Sequence, residues 1–80
     1  MTAEQLFRVH VHSEGGSLWA EVADLPGCFV SGDSMGEIKD ALEEAIGFCL
    51  STADHVVHVR ILSLDPIHDG FESARVLVDA

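Results

Sequence analysis

Glu14-Gly15-Gly16-Ser17-Leu18-Trp19-Ala20-Glu21-Val22-Ala23-Asp24-Leu25-Pro26-Gly27-Cys28-Phe29-Val30-Ser31-Gly32 holds two turns and the strands that they join. Gly accepts positive φ at little steric cost, so Glu14-Gly15-Gly16 reverses the chain and makes Ser17–Ala23 the second arm of a hairpin. Alternation puts Leu18, Ala20 and Val22 on one face of that arm and Trp19 and Glu21 on the other. Asp24-Leu25-Pro26-Gly27 is a second turn. In it Pro presets φ, Gly relieves a turn position and Asp can bond the backbone, so turn chemistry accounts for the tetrapeptide. Cys28–Ser31 follows as a short third strand.

Upstream, Leu6–Ser13 alternates Phe7, Val9 and Val11 with Arg8, His10 and His12, as a half-buried strand requires. Downstream, Ser34-Met35-Gly36-Glu37 has the capping-box spacing of a helix start. Met35, Ile38, Leu42, Ala45, Ile46 and Cys49 then recur at three- and four-residue steps, which predicts a helix from Met35 to about Leu50. Glu37, Asp40, Glu43 and Glu44 fall outside this stripe and give the helix an acidic outer face. His55–Leu64 is a fourth strand by its β-branched alternation, Asp65-Pro66 to Asp69-Gly70 a turn region, and Glu72–Asp79 a fifth strand. The expected fold is a single α+β domain over residues 1–80. Its order is β-β-β-α-β-β, with one amphipathic helix on a mainly antiparallel sheet.

Composition narrows the function classes. Fourteen acidic residues against four basic ones give a formal charge of −10, which repels nucleic-acid phosphates and favours association with a basic protein. No apolar run approaches the ~20 residues needed to cross a bilayer, and the N-terminus lacks a basic region before its first apolar stretch; a cytoplasmic protein is expected. Cys28 and Cys49 have no metal-site or disulfide-framework spacing and are expected to be buried free thiols. Eighty residues remove only about 60% of the unfolded chain's surface from water, so a partner or self-association is expected to add stability.

Gly16–Phe29, Ser31-Gly32-Asp33-Ser34 and the helix after them together resemble HicB-like antitoxins. The similarity spans roughly Phe7 to Leu50 and rests on a Trp-Ala-Glu-Val-x-Asp-Leu-Pro-Gly-Cys stretch, a downstream Gly-Asp-Ser and a Glu/Ala-rich helix, in order. The resemblance implies a partial ribonuclease-H-like fold. It also implies a non-catalytic role, binding and neutralising a small basic ribonuclease toxin of the HicA type. Many HicB proteins add a C-terminal DNA-binding domain, and this sequence ends on a strand pattern without one. A stand-alone structural or regulatory homo-oligomer is the alternative.

The candidate partner-binding residues are Trp19, Glu21, Asp24, Arg8, His10 and His12. Trp19 and Glu21 alternate away from the apolar face, and exposed Trp often anchors interfaces. Arg8, His10 and His12 share a strand face, and His58 and Arg60 would join them if the fourth strand lay beside the first. His10-x-His12 places two possible metal ligands together, but the sequence supplies no clear third or fourth, so neither a metal site nor a cofactor is expected. Phe7–His12 carries no carboxylate for two-metal phosphoryl chemistry, and no nucleophile has an identifiable base, so an enzyme is not expected.

Overall fold

Gly15 and Gly16 both take positive φ, 59° and 86°, and close a two-residue hairpin whose twist matches its strands. The turn joins β1 (Thr2–Glu14) to β2 (Ser17–Val22) and sets a register that pairs Glu14 with Ser17, His12 with Trp19, and His10 with Glu21. β3 (Phe29–Gly32), α1 (Met35–Leu50), β4 (His58–His68) and β5 (Phe71–Asp79) complete the chain in this computed structural model, which describes residues 2–79.

The strands form one sheet in the order β3-β2-β1-β5-β4, and every neighbouring pair is antiparallel. Strand accounts for 58% and helix for 21%, so the architecture is a β-dominated sheet carrying a single helix. This corrects the expected α+β, partial ribonuclease-H-like class. β4 does not lie beside β1, because β5 inserts between them and pairs with β1 from Thr2↔Asp79 to His10↔Phe71. That long pairing also draws β1 out to Thr2, well beyond the expected start at Leu6.

Ile38, Leu42 and Ile46 are fully buried and pack over Val9, Ala20, Ala74 and Val76 of the sheet, with Phe7, Val22, Ile61 and Val78 around them. The apolar stripe of α1 is narrower than expected, since Met35 and Cys49 are exposed and Gly47 is buried instead. Ser34 caps the helix, its Oγ accepting from the Glu37 N–H at 3.2 Å; among the described contacts Glu37 does not return the bond, so half of the capping box forms. Gly32 ends β3 where the sheet edge meets the helix, and a Cβ there would lie 3.0 Å from that of Glu37.

β4 runs on through Asp65 and Pro66, which the turn chemistry of those residues placed in a loop. Pro is tolerated because β4 is an edge strand whose outward side needs no ladder N–H. A bulge between Ile61 and Ser63 resets the alternation, so that Ile61 and Leu64 both face the core across from Val76 and Ala74. Without it, a three-residue separation would put those side chains on opposite faces. The Ile61 N–H points outward and donates to Glu43 Oε1 at 2.9 Å. Glu43, expected on the acidic solvent face, thus turns inward and occupies part of the exposed edge.

Candidate functional site

The expected partner-binding residues divide into three groups. Asp24 is engaged by the fold: its Oδ2 accepts from the Arg8 backbone N–H at 2.8 Å, while Arg8 O accepts from the Ala23 N–H at 2.8 Å. This fastens the turn after β2 to β1. The Arg8 side chain is exposed on the open face of the sheet. His58 and Arg60 do not join it, because they pair with Asp79 and Leu77 of β5 at the far edge.

Trp19, Glu21, His10 and His12 do come together, on the face away from α1. His12 stacks on Trp19, with ring centroids 3.9 Å apart and planes 9° from parallel. His10 stacks on Phe71 at 4.2 Å and 7°, and the two imidazoles lie 3.9 Å apart. Glu21 Oε1 lies 3.4 Å from His12 Nε2 and 3.7 Å from His10 Nδ1. One ligand atom from each of His10, His12 and Glu21 lies within 4.8 Å of the others. The third donor missing along β1 therefore comes from β2. Hairpin register was the signal that reveals it, since a two-residue turn at Gly15-Gly16 makes paired positions sum to the same number: 10 and 21, 12 and 19.

A second surface lies between α1 and the edge of β4. An open groove of about 540 Å³ is lined by Asp40, Glu43, Glu44, Phe48, Val56 and neighbouring residues. Phe48 is 82% exposed and Val56 66%, so two apolar side chains stand in water beside carboxylates. Ser51 builds the end of this groove: its Oγ donates to Gly47 O at 2.6 Å and accepts from the Val57 N–H at 2.8 Å, stapling the loop to the last helical turn. Neither Phe48 nor Val56 stood out in the sequence: Phe48 sits one position from the expected stripe, and Val56 falls inside the expected strand His55–Leu64 but out of phase with Val57, Val59 and Ile61, whereas β4 itself begins only at His58.

Cys28 is buried beneath the helix, whereas Cys49, expected to be buried too, is exposed. Burial, reinforced by neighbouring Cys49, pushes the Cys28 thiol up to about 12, which keeps it protonated and unreactive. Elsewhere, Glu4 binds Arg75 through one carboxylate oxygen, at 2.7 Å to Nη2 and 3.0 Å to Nε, tying β1 to β5. No helix is long and apolar enough to cross a membrane among the described residues. Comparisons with protein families, curated proteins and solved structures returned no match.

Proposed function

We propose that the chain is a non-catalytic, antitoxin-like protein-binding module of the cytoplasm that covers and neutralises a small basic ribonuclease. The observation that carries this reading is the groove along α1, where exposed Phe48 and Val56 are flanked by Asp40 and Glu44. An apolar floor supplies contact area, and a carboxylate rim selects a cationic partner and speeds its approach. A formal charge of −10 extends that attraction over the whole molecule and disfavours direct contact with nucleic acid. The HicB-like segment agrees with this reading.

The test is co-expression with the product of the adjoining reading frame. The expected result is a complex that weakens as salt is raised, together with rescue of growth from the toxicity of that product. Failure of both would overturn the proposal.

One observation favours the alternative, a homo-oligomer without a toxin. Leu6 and Phe29, each 68% exposed, stand on the open sheet face. β5 is paired on both sides within its own sheet, between β1 and β4, so it offers no free edge to a second copy. Light scattering of Leu6→Glu/Phe29→Glu decides: a drop in mass relative to the unsubstituted chain supports self-association through this face, and equal monomeric masses exclude it.

A further inference from the structure

We infer that His10, His12 and Glu21 form a binding site for a borderline divalent cation, Zn²⁺ being the ion that the donor set fits. Tetrahedral zinc with bonds of about 2.0–2.2 Å needs donor atoms about 3.3–3.5 Å apart. Glu21 Oε1 already stands 3.4 Å from His12 Nε2 and 3.7 Å from His10 Nδ1, and the whole trio lies within 4.8 Å. Closing the set requires a small rotation of side chains and no movement of strands.

The donors are positioned by structure that holds without the ion. All three sit on the β1–β2 hairpin, whose register is fixed by its two-residue turn. The His12 ring is held flat on Trp19 and the His10 ring on Phe71, so neither imidazole is a free rotor. Gly70 packs against the other edge of His10: a Cβ there would lie 3.5 Å from Nε2 and Cδ2. Nδ1 is thereby left facing Glu21, which makes the site a mixed Nδ1, Nε2 and carboxylate set.

The donor chemistry selects the metal. Two imidazoles with one carboxylate suit zinc and its first-row neighbours, whereas magnesium and calcium take oxygen ligands. His10 and His12 keep 29% and 30% of their side-chain surface and Glu21 keeps 49%, so the ion enters from solvent and a water completes its shell. Three protein ligands with an open position is the arrangement of reactive zinc sites rather than of closed structural ones. The net charge of −10 raises the local concentration of any cation. The cysteines take no part, since Cys28 is buried under the helix on the opposite side of the sheet.

Trp19 is the only tryptophan, and its contact with His12 makes it a reporter of the site. The experiment titrates the untagged full-length chain with Zn²⁺, following Trp19 fluorescence and, in parallel, heat. The expected result is saturable binding of one ion per chain, no response to Mg²⁺ at the same concentration, and affinity lower by roughly tenfold or more in His12→Ala and Glu21→Gln. Cys28→Ala/Cys49→Ala is expected to bind as the unsubstituted chain does. Circular dichroism of each variant must match that of the parent, which separates lost ligands from lost structure. Absence of saturable binding, its persistence in His10→Ala/His12→Ala, or its loss in the cysteine variant overturns the assignment.

Discussion

The two faces of the sheet are built from the same strands by opposite rules. Under α1 the side chains are Val9, Ala20, Val22, Ala74, Val76 and their neighbours, and no polar or charged residue is buried among the described residues. On the open face the same strands carry His10, His12, Trp19, Glu21 and Phe71, partly in water and engaged with one another, and Arg75 paired with Glu4. Period-two alternation separates these sets residue by residue. The covered face therefore carries stability and the open face carries the proposed metal donors, and substitutions on one should leave the other intact.

The largest effect is expected on the covered face. Leu42→Ala empties a fully buried site between helix and sheet and should cost about 2–5 kcal/mol in urea unfolding. Gly32→Ala is next: the added methyl meets the Glu37 Cβ at 3.0 Å and forces β3 and α1 apart, for about 1–3 kcal/mol by the same assay. Glu43→Ala leaves the Ile61 N–H without its acceptor and should cost about 1 kcal/mol. On the open face His12→Ala is expected to cost less than about 1 kcal/mol, although it removes the ring stacked on Trp19. A loss there as large as that of Leu42→Ala would break the division between faces.

Alkaline pH sharpens the same contrast through Cys28. Its folded thiol is raised from 9.0 to about 12 by burial, so between these values the unfolded chain loses a proton that the folded chain keeps. Stability contributed by the protonated thiol is complete below about pH 9 and should fall as pH rises toward 12. Cys28→Ala should flatten that decline. Alkylation below pH 9 should modify exposed Cys49 alone until the protein unfolds.

Local features of this molecule were legible in its sequence. Gly15-Gly16 marked the hairpin, Ser34 marked the helix start, and three- and four-residue spacing found Ile38, Leu42 and Ile46. Long-range features were not. An alternating strand looks alike whether its neighbour is β1 or β4, so the insertion of β5 between those two strands carried no local signature. The bulge after Ile61 hid the extent of β4, because it shifts the period by one residue and makes Ser63-Leu64-Asp65-Pro66 read as the end of a strand. Glu43 read as solvent-facing since its acceptor role depends on where the β4 edge comes to rest.

Charge reversal locates the docking surface most directly. The affinity of the adjoining reading frame's product is measured by calorimetry for the unsubstituted chain, for Asp40→Lys/Glu44→Lys on the helix, and for Trp19→Ala on the open face. A docking surface along the acidic groove requires Kd to rise at least roughly tenfold for the helix variant while Trp19→Ala stays within about threefold of the parent. Unchanged affinity in the helix variant, or a loss confined to Trp19→Ala, would contradict it.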